Sequence, residues 1–172
     1  MDIAKEYDVA VIEDCAHGHG GVWAGRGLGS IGKVGSFSFQ QSKNLCSGEG
    51  GICLTHDSAL AESMFRLKHI GYDSLSSQGH SNSAPREGLI CHNYRGTEFQ
   101  AVILYEALKC LKSQALVRDE NAQYLARAIE DIDGIRVQAR GLKADLQSYY
   151  FLVFLVDLSL FKQESLSELV EA

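Results

Sequence analysis

The alternation of apolar and polar positions along the chain predicts an α/β fold. Four consecutive apolar residues, Val9 to Ile12, stand between polar ones and predict a strand buried on both faces, as in a parallel sheet. Residues 18–35 are rich in glycine and predict loops and turns with little regular structure. Two further strands are predicted at 36–39 and 52–55, with a glycine turn at 48–51 between them.

Helical spacing appears before and after these strands. Residues 2–7 predict the end of a helix, and Asp57 and Ser58 are both suitable N-caps for a helix that runs to Ile70. The segment 72–87 is polar, rich in serine and glycine, and contains the only proline, so it predicts a mobile loop.

The last third of the chain predicts more helix and one strand. Thr97 is a suitable cap for a helix with apolar positions up to residue 111, and a second helix is predicted at 116–132. The apolar run 149–157 predicts a strand, and a final helix is expected to begin near Ser165.

A change in composition predicts the domain organisation. Around residues 113–119 glycine becomes rare and charged helical sequence begins. We therefore expect one domain at 1–115 and a second at 116–172. One strand and a helix that stops at the last residue are too little for a self-sufficient domain, so the second is expected to be incomplete.

Composition excludes several classes of protein. The chain has 172 residues, 45% of them hydrophobic, and a net charge of −6, so intrinsic disorder and nucleic-acid binding are both disfavoured. No apolar run approaches the length of a membrane span, and the N-terminus has no apolar signal region. Five irregularly spaced cysteines are typical of reduced thiols. We expect a globular cytoplasmic protein that contacts neither membrane nor nucleic acid.

Two residues could carry chemistry with an aldehyde cofactor. Lys43 lies on a loop just after a predicted strand, where partial burial would favour the uncharged, nucleophilic amine. Asp14 follows the strand Val9–Ile12, at the edge where parallel strands present ligands, and could pair with a protonated pyridine nitrogen. Taken singly, each residue is explained at least as well by a solvated surface lysine or by a capping or ion-paired aspartate.

A metal site is a further alternative. Cys15, His17 and His19 are close in sequence and could be ligands, but zinc needs three or four of them, usually with a second cluster downstream. The other histidines are scattered singly. Ser38 and Asn93 are polar residues that carry no signal of their own.

Five motifs in order resemble one family of enzymes. They are Glu13-Asp-Cys-Ala-His17, Gly35-Ser-Phe-Ser-Phe39, Lys43-Asn-Leu45, Gly48-Glu-Gly-Gly51 and Asn93-Tyr-Arg-Gly-Thr-Glu-Phe-Gln-Ala101. Their order and spacing are similar to those of the DegT/StrS family of pyridoxal-phosphate-dependent sugar aminotransferases. The resemblance extends over residues 2–112 and continues more weakly to the end of the chain.

The resemblance implies a fold and an assembly. The fold is α/β, of fold type I, the aspartate aminotransferase architecture, and family members work as homodimers. By this comparison the chain is a fragment that holds part of the pyridoxal-phosphate-binding large domain and the start of the C-terminal small domain.

The resemblance also implies five site residues. Lys43 matches the Schiff-base lysine, and Asp14 matches the carboxylate that binds the pyridinium nitrogen. His17 lies where the family usually has glutamine, beside the phenolic oxygen of the cofactor. Ser38 matches the hydroxyl on the phosphate, and Asn93 matches the residue that reaches the phosphate of the neighbouring subunit.

The implied reaction is transamination. A keto group on a nucleotide-linked sugar or a cyclitol would be aminated, with glutamate or glutamine as the amino donor, and the Lys43 amine would act as general base and acid. A non-catalytic remnant or regulatory relative that holds pyridoxal phosphate or a sugar is the alternative, since family members are longer than this chain. A metal-binding protein using Cys15, His17 and His19 is the third interpretation.

Overall fold

Three small sheets and one long helix dominate the computed structural model, which describes residues 1–75, 88–162 and 165–171. The helices are α1 (Asp2–Glu6), α2 (Ser58–Lys68), α3 (Glu98–Ala128) and α4 (Leu166–Glu171), with a short 3-10 helix at Leu158–Leu160. The strands are β1 (Ile12–Asp14), β2 (Val22–Trp23), β3 (Arg26–Gly27), β4 (Val34–Ser38), β5 (Gly51–Leu54), β6 (Ile135–Val137), β7 (Ala144–Leu146) and β8 (Phe154–Val156).

The first sheet has the strand order β1-β4-β5 and holds the motifs of the N-terminal half. β1 and β4 are parallel, with Asp14 opposite Ser36, which confirms the expected parallel pairing. β4 and β5 are antiparallel, with Ser38 opposite Gly51. The predicted strands at 36–39 and 52–55 are thus confirmed with small shifts, and the loop between them carries Lys43.

Contacts of Glu13 and Gly35 with the loop at 29–32 determine how the chain returns from β1 to β4. Glu13 lies opposite Gly35 in the parallel pair. A Cβ at Gly35 would overlap the backbone of Gly29, so only glycine lets the loop lie against the sheet here. The Glu13 carboxylate accepts hydrogen bonds from the backbone N–H groups of that loop: Gly29 (2.8 Å), Ile31 (2.6 Å) and Gly32 (2.6 Å). The Glu13 side chain therefore holds the loop of about twenty residues that follows β1 against β1 itself.

The predicted strand at residues 9–12 is corrected. The strand lies at Ile12–Asp14 instead, and the backbone N–H of Val9 bonds to the carbonyl of Ala4 in the turn that ends α1. Burial on both faces is also wrong, because the Val9 and Ile12 side chains are 61% and 70% exposed. β1 is an edge strand among the described residues, so it has a strand neighbour on only one side.

The glycine-rich segment contains more regular structure than its sequence predicts. β2 and β3 form a two-residue hairpin whose turn residues, Ala24 and Gly25, both have positive φ (49° and 73°). That turn matches the twist of the paired strands. β2 also pairs with β7, so the hairpin connects the first half of the chain to the second.

The two helices predicted at 97–111 and 116–132 are one continuous helix, α3. The intervening residues include neither glycine nor proline, and the Ser113 hydroxyl bonds back to the carbonyl of Cys110 without starting a new helix. A change in composition is therefore not a break in the helix. The division predicted between residues 115 and 116 falls inside α3 and stays a prediction.

Both ends of α3 are attached to the sheets. At its start Thr97 and Gln100 form the capping box, and the Gln100 amide also donates to the Glu49 carbonyl (2.8 Å) in the turn before β5. Further along, the buried Asp119 carboxylate forms a bidentate ion pair with Arg140, whose second N–H group lies 2.9 Å away. Arg140 also donates to the Ala144 carbonyl (3.0 Å), which ties β7 to the helix.

The C-terminal segment contains three strands where the sequence predicts one. β6 and β8 pair antiparallel, and β7 joins β2. The strand predicted at 149–157 is confirmed only at Phe154–Val156; Tyr149 has a positive φ of 34°, and its carbonyl lies 3.5 Å from the Asn44 side-chain nitrogen. The expected final helix is confirmed as α4. Residues 76–87, most of the predicted loop, lie outside the described residues.

Few apolar side chains are fully buried. In the described ranges these are Cys15, Leu45, Ala115 and Ala122. The chain exposes 12,425 Å², whereas a compact protein of 18.8 kDa is expected to expose about 8,300 Å². Much of the apolar surface of the described residues is therefore left uncovered within this chain.

Among the described helices there is none whose length and apolar character would allow it to cross a bilayer.

Replacing Glu13 by glutamine tests the role of this carboxylate. Burial of Glu13 raises its pKa, but the hydrogen bonds from Gly32, Gly29 and Ile31 and the charge of Arg26 outweigh that effect, so the pKa is lowered overall. Glu13→Gln removes the charge and replaces one acceptor oxygen by an NH2 group, which is a donor and cannot accept a hydrogen bond from the backbone N–H groups. We expect it to lower the free energy of unfolding at pH 7 by about 1–3 kcal/mol.

Urea denaturation measures this difference, with Glu120→Gln on the exposed side of α3 as the matched control. Because the folded-state pKa of Glu13 lies below that of the unfolded chain, its contribution is present above about pH 4.3 and decreases as the pH falls below it. Equal stability of Glu13→Gln and wild type at pH 7 would contradict this interpretation.

Candidate active site

The Lys43 loop is organised by the residues just before it. The Gln40 side-chain oxygen accepts from the backbone N–H (2.9 Å) and the hydroxyl (2.6 Å) of Ser42, and the Gln40 carbonyl accepts from the backbone N–H of Lys43 (2.9 Å). The N–H of Ser47 returns to the carbonyl of Phe39 (2.9 Å). The loop is therefore a closed turn at the end of β4, with Lys43 half-buried on it.

Lys43 and His17 form a direct pair. Their Nζ and Nε2 atoms are 2.7 Å apart. An ammonium group has only donors, so a charged Lys43 donates to Nε2, and the neutral imidazole then carries its proton on Nδ1. The structure thus brings together two of the five residues that the resemblance marks as site residues.

Two aromatic residues from the C-terminal segment complete this arrangement. The Tyr150 ring stacks on His17 with centroids 4.0 Å apart and planes at 12°, and the Phe151 ring meets His17 edge-on at 5.5 Å. Lys43 Nζ lies 4.9 Å from the Tyr150 ring centroid. Sequence reasoning missed both aromatic residues, because the run 149–157 indicated only a strand.

Asp14 lies at the same edge of the sheet as the Lys43 loop. It ends β1 opposite Ser36 in the parallel partner β4, which continues into that loop. Its Oδ1 accepts the backbone N–H of Ala16 (3.0 Å), and the carboxylate is exposed. Because carboxyl ends of parallel strands share one edge, the placement expected from sequence holds for Asp14.

Ser38 lies between the sheet and the loop. Its Oγ accepts the backbone N–H of Gln40 (3.3 Å), and its carbonyl accepts from Nε2 of His19 (2.8 Å) when that nitrogen carries the proton. His19 is only 2% exposed, and its Nδ1 is a buried atom with no hydrogen-bond partner among the described residues. His19 is therefore a buried residue next to the site, and its hydrogen bond to the Ser38 carbonyl holds the end of β4.

The proposed metal ligands do not form a cluster. Burial, together with the charges of Glu13 and Asp14, raises the pKa of the Cys15 thiol to about 11. His17 pairs with Lys43, and His19 bonds to Ser38. In the part of the chain that the structure describes, no three histidine, cysteine or acidic side chains lie together as a metal site.

Asn93 belongs to a different set of contacts. It forms an isolated β-bridge with His69, and its side-chain oxygen accepts from Nε of Arg95 (2.8 Å). The contacts found for Asn93 thus lie beyond the C-terminal end of α2, in a group separate from the Lys43–His17 pair.

An open cleft adjoins the Lys43–His17 pair. It has a volume of about 510 Å³ and is lined by residues of the paired strands β2 and β7 and of the segment that follows β7. Its wall includes His17, Trp23, Tyr150 and Phe151, together with the amide side chain of Gln138. Aromatic faces with a few polar groups are typical of sites for small organic ligands.

Comparison with known proteins identifies the relatives of this chain. The model of the DegT/DnrJ/EryC1/StrS aminotransferase family matches residues 1–172. The L-glutamine:2-deoxy-scyllo-inosose aminotransferase of Streptoalloteichus tenebrarius is 36% identical over 151 residues, which cover 86% of this chain and 35% of that protein.

Solved structures agree on the fold. An aminotransferase from Psychrobacter cryohalolentis is 30% identical with a TM-score of 0.81, covering 96% of this chain and 45% of that one. The E. coli GDP-4-keto-6-deoxy-D-mannose-3-dehydratase, solved with bound hydrated PLP, is 23% identical with a TM-score of 0.79, covering 99% and 45%; this likeness concerns the fold alone. The chain has part of the fold type I architecture and spans less than half the length of these relatives.

The buried His19 predicts a dependence of stability on pH. Burial lowers the pKa of His19, the Ser38 carbonyl raises it in part, and the charges of Lys43 and His17 lower it again, so the overall shift is downward. Below about pH 6.5 the unfolded chain binds a proton at this residue that the folded chain does not. We expect the free energy of unfolding to fall with pH from there, by at most about 1.4 kcal/mol per pH unit.

Urea denaturation between pH 7.5 and 5.5 measures this effect. The His19→Gln variant, which cannot titrate at this position, should lose less stability over the same interval than wild type. The same substitution at the exposed His56 is the matched control. An unchanged pH dependence in His19→Gln would show that this side chain does not titrate as described.

Proposed function

We propose that this chain, which belongs to the DegT/DnrJ/EryC1/StrS aminotransferase family, carries the lysine-bearing part of a pyridoxal-phosphate-dependent aminotransferase site. The observation that carries the proposal is the position of the Lys43 amine, 2.7 Å from His17 Nε2 at the end of β4. A half-buried lysine on a closed turn, at the sheet edge where Asp14 ends a parallel strand, suits an aldehyde cofactor with a basic ring nitrogen.

The residues present fit pyridoxal phosphate. Lys43 would bind the aldehyde covalently, the exposed Asp14 would hold the proton on the ring nitrogen, and the Ser38 hydroxyl would contribute to phosphate binding. His17 would lie beside the phenolic oxygen. When bound, the cofactor supplies an electron sink for the carbanion formed next to the transferred nitrogen.

Lys43 has two successive tasks in this proposal. It would hold the cofactor, and its Nζ, when free, would take and return the proton at the reacting carbon. His17 supports both tasks, since its Nε2 fixes the direction of the amine. Asp14 acts throughout by keeping the ring nitrogen charged.

The proposed substrates are a keto-sugar, nucleotide-linked or free, or a cyclitol, with glutamate or glutamine as the amino donor. Support comes from the name of the Streptoalloteichus tenebrarius relative, a glutamine:inosose aminotransferase. The cleft beside His17 would also suit such a ring, because the C–H face of a polyhydroxylated ring could stack on Trp23 while Gln138 would be available to its hydroxyl groups.

The proposed assembly is a homodimer in which Asn93 reaches the phosphate of the partner subunit. This role is consistent with the separation of Asn93 from the Lys43–His17 pair within one chain. We further propose that α3 spans a division between a large domain at 1–115 and the start of a small domain at 116–172. The reaction is proposed for the cytoplasm, where the five free cysteines would stay reduced.

A second candidate is a binding protein that holds the cofactor or a sugar without amino transfer. The observation that favours it is the open cleft beside His17, whose aromatic wall suits the binding of a small ring without further chemistry. The two candidates differ in turnover and share the same lysine.

Borohydride reduction in the presence of pyridoxal phosphate, followed by peptide mass mapping, tests the lysine. We expect one saturable pyridoxyl adduct at Lys43, which Lys43→Ala abolishes and which the exposed-lysine control Lys5→Ala retains. Scattered labelling of several lysines would contradict the assignment.

Amino transfer from glutamine or glutamate to a keto-sugar or cyclitol separates the two candidates. An enzyme should release amino product and lose at least about a hundredfold in rate in Asp14→Asn, since the uncharged ring is a poorer electron sink. A stoichiometric adduct with no product from any donor and acceptor would favour the binding protein.

A further inference from the structure

Tyr150 makes three contacts that converge on Lys43. Its ring stacks on His17 (4.0 Å, 12°), its hydroxyl lies 2.6 Å from the Ser42 hydroxyl, and its ring centroid lies 4.9 Å from Lys43 Nζ. Phe151 packs edge-on against the Tyr150 ring at 4.3 Å. Tyr150 therefore holds both Ser42, the residue before Lys43, and His17, the side chain that Lys43 contacts.

The lysine needs such support because, among the described residues, the contacts found for its amine are those with His17 and Tyr150. A lysine side chain loses much of its rotamer freedom when its amine is fixed. His17 is exposed, and an exposed imidazole alone would turn freely about its side-chain bonds. A parallel aromatic neighbour removes that freedom and keeps Nε2 in the plane where Lys43 meets it.

We propose that Tyr150 is a positioning residue for Lys43: its ring fixes the orientation of His17, and with it the Lys43 contact that sets the His17 tautomer, and its hydroxyl fixes Ser42. The proposal rests on the proposed function, in which Lys43 is the covalent lysine. Tyr150 touches neither a reacting atom nor a ligand in this role and acts through His17 and Ser42.

This contact joins two distant parts of the chain. Tyr150 follows β7, and its backbone neighbours are held by Asn44, whose side-chain nitrogen donates to the carbonyls of Ser148 (3.1 Å) and Tyr149 (3.5 Å). Asn44 is the residue after Lys43. Asn44, on the lysine loop, therefore holds the segment at 148–151, and Tyr150 of that segment in turn holds His17 and Ser42. The geometry of Lys43 thus depends on how residues 148–151 dock.

The tautomer of His17 gives a test that does not require the cofactor. In the chain labelled with ¹⁵N-histidine, nitrogen shifts report which ring nitrogen carries the proton. We expect the Nδ1–H form in wild type and in Tyr150→Phe, which keeps the stacked ring, and a mixture of both forms in Tyr150→Leu. Lys43→Met should give the same mixture because it removes the donor, and Tyr124→Leu on the exposed side of α3 is the matched control.

The rate of reductive pyridoxylation at Lys43 gives the second readout. Tyr150→Leu should slow it about tenfold to a hundredfold through misplacement of the amine. Tyr150→Phe and Ser42→Ala should each slow it about twofold to tenfold, as expected for one lost hydrogen bond. Wild-type rates and an unchanged tautomer in Tyr150→Leu would overturn the proposal. If Tyr150→Leu does not fold, wild-type rates in both Tyr150→Phe and Ser42→Ala overturn it.

The two proposals fail separately. If wild type forms no adduct at Lys43 but the His17 tautomer still depends on Tyr150, the aminotransferase assignment is wrong and the positioning contact remains. If the adduct forms at Lys43 with equal rates in all Tyr150 variants, the positioning role is wrong and the covalent lysine remains.

Discussion

The hydrogen bonds that the Glu13 carboxylate accepts from the loop at 29–32 are the constraint on which the rest of the structure depends. They bring the chain back so that β4 can pair in parallel with β1. That pairing sets Asp14 opposite Ser36 and sends the chain after β4 into the Lys43 turn. The absence of a side chain at Gly35 is the matching condition, because the loop occupies the space where a Cβ would lie.

Polar interactions also attach the C-terminal segment to the rest of the chain. Few apolar side chains among the described residues are fully buried, and on α3 Phe99, Val102 and Tyr105 are more than half exposed. The position of β7 is instead defined by pairing with β2 and by the Asp119–Arg140 ion pair. The cost of desolvating Asp119 offsets much of the attraction in this pair, so its net contribution to stability is small.

These two attachments meet at Lys43. The first places the lysine turn at the end of β4, and the second places the aromatic residues that follow β7 against His17. Neither half of the described chain contains the whole Lys43 environment. Its geometry is consequently sensitive to how the segment at 148–151 docks, and Asn44 is the residue through which that docking reaches the lysine turn.

The sequence by itself determined the α/β class, the helix at Ser58–Lys68, the strands around Lys43 and the family, because these follow from local periodicity, capping residues and motif spacing. It predicted Asp14 at the carboxyl end of a strand, and Asp14 is the last residue of β1, although that strand lies at Ile12–Asp14 and not at 9–12. The continuity of α3 was also open to the sequence, since neither glycine nor proline interrupts residues 112–115. Only the tertiary structure decided that Tyr150 meets His17. The physical reason is that this contact joins residues more than a hundred positions apart, and no local pattern specifies which distant side chain fills a given space.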